Sequence, residues 1–288
     1  MRASFRHALL GVSALALTAV AIGGAILTGG PASPEAAETA PRPAPSTLPG
    51  GPSTPQALPR VATGQEYDAC LALLRTDPEG AIARAGAWEE QGGGEGARHC
   101  LALGLLAAGE ADRAAGRLER LAAASAASGP ARAGLYAQAA QAWMMAGAPN
   151  RAYGASTLAL TLLPDDPALL VDRAVAAAAL GRYGEALQDL DRAVGLDGNR
   201  AEAWVFRSAT LRHLDRPEDA MRDAERALSL EANNPEALLE RGILRQLQGD
   251  TAGARADWQQ IMRVAPDSPA ADLAMQNLAL NEAGPRRR

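Results

Sequence analysis

An all-α solenoid of stacked helix pairs is the fold this chain predicts, and three observations carry the prediction. The first is a repeat of 34 residues. Gly181, Asp215 and Gly249 are spaced by that interval, as are Ala186, Ala220 and Ala254, and Gly147 and Ala152 fall on the same grid upstream. Pro167, Ala201, Pro235 and Pro269 open successive units at the same spacing. A period of this length with small residues at fixed offsets marks a helix-turn-helix unit that buries its apolar face only against a neighbour. The second observation is composition. Alanine is abundant and aromatic residues make up only 3% of the 288 positions, which suits helices that approach closely through small side chains. The third is that β-branched and polar residues do not alternate as they do in strands.

The elements follow in order. Arg2, Arg6 and His7 precede Ala8–Thr28, a stretch of 21 residues without charge. As a helix it would span roughly 31 Å, close to the hydrocarbon thickness of a bilayer. Its length exceeds the usual apolar region of a signal peptide and favours a retained inner-membrane anchor. Its glycines and alanines, and the small-residue site Ala19-Val20-Ala21, favour cleavage. Both readings of residues 1–30 stay open. In either, positive charge on the short N-terminal side sends the rest of the chain out of the cytoplasm; a basic set made of arginine without lysine and the abundant alanine suggest a GC-rich bacterial genome, which makes the periplasm the expected compartment. Residues 31–61 form a linker, with nine prolines in 31–59. Such a segment buries too little apolar surface to offset its conformational entropy and is expected to be a disordered tether.

Residues 62–130 read as two divergent helix pairs. Glu66–Leu74 and Pro78–Glu90 flank the turn Thr76-Asp77-Pro78, and Gly92-Gly93-Gly94 reads as a plain linker. Gly109 and Ala114 imitate the turn and small residue of a repeat, 38 positions before Gly147 and Ala152, and the four extra residues fit the Ser125–Pro130 loop. Residues 131–268 hold four regular repeats. Residues 269–288 give a solvating cap helix over 269–283 and a tail ending Arg286-Arg287-Arg288.

From about residue 133 to 268 the chain resembles the tetratricopeptide repeat family. The clearest unit is Ala201–Asn234, which begins Ala201-Glu202-Ala203-Trp204 and continues through Leu211, Ala220 and Ala227. Leu170, Trp204 and Leu238 share one offset, with Tyr136 before them, and the small residue of the first helix appears as Ala140, Ala174, Ser208 and Gly242. The later aromatic position holds Leu190, Ala224 and Trp258 but departs to Ser156, and the closing proline survives as Pro164 and Pro266 but is Gly198 and Ala232 between them. The resemblance implies a right-handed superhelix of antiparallel helix pairs. It also implies a recognition surface on the concave face of the first helices, carried here by Met144, Met145, Val171, Val175, Val205, Arg212, His213, Leu239, Ile243 and Gln246. That set is mostly apolar. Where chaperone-docking relatives clamp a carboxylate with basic and asparagine residues, the matching positions here carry valine, leucine, isoleucine and alanine, and the face suits an apolar or amphipathic helix or an extended peptide. The alternative is that these side chains pack against one another or against the terminal helix.

Cys70 and Cys100 are the two cysteines of the chain. Export makes a disulfide the favoured reading of an even pair, with buried reduced thiols as the alternative. A metal site has too few ligands here, since His99 is the one histidine nearby. Arg173, Arg207 and Arg241 repeat at 34, as do Asp189, Asp223 and Asp257. These offsets predict a ladder of ion pairs within the repeats.

Catalysis and cofactors find no support: neither His99 nor His213 has a nucleophile at motif spacing, and no phosphate loop occurs in a chain without lysine. A net charge of −5 argues against nucleic-acid partners. The expected function is a non-catalytic scaffold in the bacterial envelope that binds a protein or peptide partner. A structural spacer with a self-filled groove and a biogenesis factor for an envelope complex are the alternatives. End repeats with incomplete caps also allow self-association.

Overall fold

The computed structural model describes residues 60–283; the segment Ala8–Thr28, the proline-rich run to residue 59 and the terminal arginines lie outside the described residues. Among the described residues there are thirteen helices and no strand. They pack as consecutive pairs: α1 (Gln65–Leu73) with α2 (Pro78–Glu90), α3 (Gly94–Ala107) with α4 (Ala111–Ala124), α5 (Gly129–Met145) with α6 (Pro149–Leu162), α7 (Pro167–Ala179) with α8 (Tyr183–Leu196), α9 (Ala201–His213) with α10 (Pro217–Leu230), and α11 (Pro235–Leu247) with α12 (Thr251–Val264). Helix α13 (Pro269–Ala283) closes the stack against α11 and α12. None of these helices is long and apolar enough to cross a membrane.

The repeat period is a period of turns. Gly147, Gly181, Asp215 and Gly249 all have positive φ, and each follows the first helix of its pair. At Gly181 the next amide, that of Arg182, reaches back to the Ala177 carbonyl at 2.9 Å, the bond that satisfies the last carbonyls of a helix. Arg216 does the same to Leu211 at 3.0 Å around Asp215, whose φ of 58° is the one positive value of a residue other than glycine among the described residues. A side chain in this region costs about 1 kcal/mol, partly offset by the greater freedom glycine gives the unfolded chain. Asp215→Gly is therefore expected to raise stability by roughly 0.5 kcal/mol and Gly181→Ala to lower it by about 1, both read from denaturant midpoints.

Helix starts are marked as clearly. Asp77, Asp166, Asn234 and Asp250 each accept a backbone N–H at the first turn, and Pro78, Pro167 and Pro235 follow where the missing N–H does no harm. Where the helices of a pair meet, Ala152, Ala186, Ala220 and Ala254 are fully buried, and so are Ala159, Ala193, Ala227 and Ile261. The arginine ladder forms on the same scaffold. Arg173 donates two bonds of 2.7 Å to Asp189, Arg207 bonds of 2.7 and 2.8 Å to Asp223, and Arg241 bonds of 3.0 and 2.6 Å to Asp257. Each acid is buried. Pairs of this kind fix the register of one helix on the next more than they add net stability.

The divergent end departs from the plain linker expected at Gly92-Gly93-Gly94. Gly92 and Gly94 take positive φ, and Gly93 lies under the Trp88 indole, so that a Cβ there would fall 2.6 Å from the ring. The longer connection after α4 is held by Glu95, which accepts from Ser125 Oγ at 2.9 Å and from the Ala126 amide at 3.0 Å.

Candidate functional site

The first helices α5, α7, α9 and α11 lie side by side and make the face expected to carry recognition. Its apolar residues are not open. Val171, Val175, Val205 and Leu239 are 2%, 7%, 8% and 5% exposed. Ala137, Ala178 and Ala209 on the same helices are buried too. With alanines between them the helices come close enough for the valines and the leucine to fill the seams, the packing against one another that the sequence left open as the alternative. Met144, Met145, Arg212, His213 and Ile243 are half-buried and Gln246 is exposed.

What this face offers beyond its seams is largely polar. Gln141 Nε2 donates to Asp172 Oδ2 at 3.4 Å. Arg212, placed on the recognition face by the sequence, is engaged internally: its Nε donates to Glu240 Oε1 at 2.5 Å and its Nη2 to Oε2 at 3.3 Å, and Glu240 is buried. His213 stacks on Tyr183, ring centroids 4.5 Å apart and nearly parallel. Asn281 of α13 donates to Gln246 at 3.3 Å. The polar row on this face thus consists of two separate pairs, Gln141–Asp172 across α5 and α7 and Arg212–Glu240 across α9 and α11.

Asp172 is the chemically unusual member of the row. Burial raises its carboxyl to about 7, and the neighbouring Glu202 and Asp166 carboxylates push the same way, against Gln141 and Arg200. A carboxyl raised in this way keeps its proton in the folded chain where the unfolded chain has lost it, so stability falls as pH rises from about 4 to 7. Asp172→Asn is expected to abolish that fall. The check is thermal unfolding at about pH 5 and pH 8, where the variant shows the smaller difference in Tm.

At the divergent end, Cys70 of α1 and Cys100 of α3 form a disulfide, with both sulfurs in a fully buried setting. Beside it runs a polar chain that sequence reasoning missed. Tyr67 Oη and His99 Nδ1 are 2.5 Å apart, and His99 Nε2 and Gln138 Oε1 2.7 Å. With the proton on Nε2, Tyr67 donates to the ring and the ring donates to Gln138, so three successive first helices are linked. Burial pushes the His99 pKa down and keeps the ring neutral. Among the described residues no cluster of three or more His, Cys, Asp or Glu is placed to hold a metal ion.

Residues 209–279 match a family model described as tetratricopeptide repeat. No curated protein matches the chain. Among solved structures, Pseudomonas aeruginosa pilF is similar over 75% of this chain and 95% of its own, with 17% identity and a TM-score of 0.57. The APC/C hetero-tetramer Cut9–Hcn1 is similar over 74% of this chain, which spans 42% of that one, with 16% identity and a TM-score of 0.58. The first tetratricopeptide-repeat domain of Spaghetti (RPAP3), solved with the HSP90 peptide SRMEEVD, shares 29% identity over 41% of this chain and 93% of its own, with a TM-score of 0.39. At these identities pilF and Cut9 share the fold.

Proposed function

We propose that this chain, whose residues 209–279 match a tetratricopeptide-repeat model, works as a non-catalytic interaction scaffold in the bacterial envelope, holding a segment of a partner protein along the face of α5, α7, α9 and α11. The observation that carries this reading is that Met144, Met145, His213 and Ile243 stay half-buried and Gln246 exposed on that face while its valines are closed in the seams. Such a surface suits an extended or helical segment with polar contacts and a few apolar anchors. Export is supported by the uncharged run Ala8–Thr28 behind Arg2 and Arg6 and by the pairing of both cysteines of the chain.

The test is co-purification from the envelope of the native host, comparing wild type with a Met145→Glu, Gln246→Glu variant whose helicity is confirmed by circular dichroism. A partner recovered with wild type and lost with the variant supports the reading, and fractionation of the same cells tests the compartment. Recovery of the same proteins with both sinks it. A second reading, a structural spacer with a self-filled groove, is favoured by the burial of Val171, Val175, Val205 and Leu239, and it is the reading that an unchanged recovery would leave.

A further inference from the structure

Away from that face, a cleft of about 480 Å³ opens between the second helices α4 and α6, over Trp143 of α5. Its lining is Asp112, Arg113, Gly116, Arg117, Arg120, Trp143 and Arg151, and Glu110, Glu89 and Glu119 stand beside it, each paired with one of its four arginines. Arg113, Arg117 and Arg120 occupy successive turns on one side of α4, and Arg151 faces them from α6. The floor is fixed. The Arg151 guanidinium lies 3.6 Å over the Trp143 ring, and Glu119 holds both, accepting from Trp143 Nε1 at 3.2 Å and from Arg151 Nη2 at 3.0 Å. Gly116 keeps the space open, since a Cβ there would stand 3.4 Å from Arg120 Nη1 and 4.0 Å from the indole.

The arginines along the rim are weakly engaged. Arg113 pairs with Glu110 and Arg117 with Glu89 at 3.6 Å, both in solvent, where such pairs hold loosely. Arg120 is exposed and in no ion pair among the described residues. Guanidinium groups in this arrangement match carboxylates in bidentate fashion, and the stacked Arg151–Trp143 platform gives a flat surface for the chain between them. The volume is that of a site for a molecule of drug size, well beyond a single inorganic anion. A nucleic acid would have to run past this patch onto a chain of net charge −5.

We propose that the cleft between α4 and α6 binds an acidic peptide segment of a partner protein, its carboxylates held by Arg117, Arg120 and Arg151 over the Trp143 ring. This site is independent of the face of first helices. The test is fluorescence anisotropy of a fluorescein-labelled oligoglutamate peptide titrated with the folded protein at low salt. Wild type is expected to bind saturably. Affinity is expected to fall at least about tenfold in Arg117→Glu, Arg120→Glu, and also in Gly116→Leu, which fills the cleft without changing charge. Arg222→Glu, Arg226→Glu changes net charge equally on exposed residues of α10 and is expected to leave binding intact. Absent binding, or equal losses in the two charge-reversed proteins, overturns the proposal. So does competition by inorganic phosphate or by phosphatidylserine vesicles at concentrations matching the peptide, which would assign the cleft to a small anion or to lipid.

Discussion

Opening the Cys70–Cys100 bond with a thiol reductant is expected to destabilise the N-terminal helix pairs by about 3.6 kcal/mol and to leave the C-terminal repeats as they were. The bond closes a loop of 30 residues, and in the chain-entropy account that constraint acts on the unfolded state. Its effect is concentrated because α1 has little else to hold it. The helix is nine residues long, lacks a side-chain cap, and buries only Tyr67 and Cys70 along its length. A helix so short is not stable alone. Stability in a stack of repeats is a sum of local and nearest-neighbour contributions, so the loss should appear as earlier exchange of the α1 and α2 amides while α9 to α12 keep their protection. Hydrogen exchange with and without reductant reads both regions at once. Equal loss everywhere would mean that the stack unfolds as one unit. No loss would mean that Tyr67–His99 and the apolar contacts around Leu74 hold α1 by themselves.

The contrast between the two ends of the molecule explains what could be read in the sequence. Turns and ion pairs repeat at 34 because each repeat must end its first helix and fix its register in the same way. Gly147, Gly181, Asp215 and Gly249 therefore announce the backbone bends, and Arg173, Arg207 and Arg241 announce their partners. The chain Tyr67–His99–Gln138 has separations of 32 and 39 that belong to no period, and it gives no signal at the level of spacing. The closed seams of the first-helix face were hidden for another reason. Periodicity says which residues share a face but not how far apart the helices lie, and that distance is set by Ala137, Ala178 and Ala209, which let Val171, Val175 and Val205 disappear into the seams. The cleft on α4 had a legible sign, arginines at 113, 117 and 120 on successive turns. Its depth depends on Gly116 and on Trp143 arriving from another helix.

Packing inside the last repeat gives the second large effect. Gly242→Ala is expected to lower stability by about 2 kcal/mol, although alanine is by about 1 kcal/mol the better helix former. A Cβ at this position would lie 2.4 Å from Trp258 Nε1 and 2.8 Å from Cδ1. Trp258 is 2% exposed, so its ring can give way only by displacing buried neighbours. The equivalent pairs one period apart are Ala140 with Ser156, Ala174 with Leu190, and Ser208 with Ala224. Space on the first helix thus trades against bulk on the second: the one repeat with tryptophan is the one with glycine. Trp258→Leu alone should cost about 2–4 kcal/mol through the cavity it leaves. Combined with Gly242→Ala it recreates the Ala174–Leu190 pairing. The double variant should therefore be more stable than the sum of the single effects allows, by about 1–2 kcal/mol. Denaturant midpoints of the four proteins measure that coupling. Strict additivity would show that the two positions do not share the space, and that the glycine is tolerated at 242 for a reason other than the ring above it.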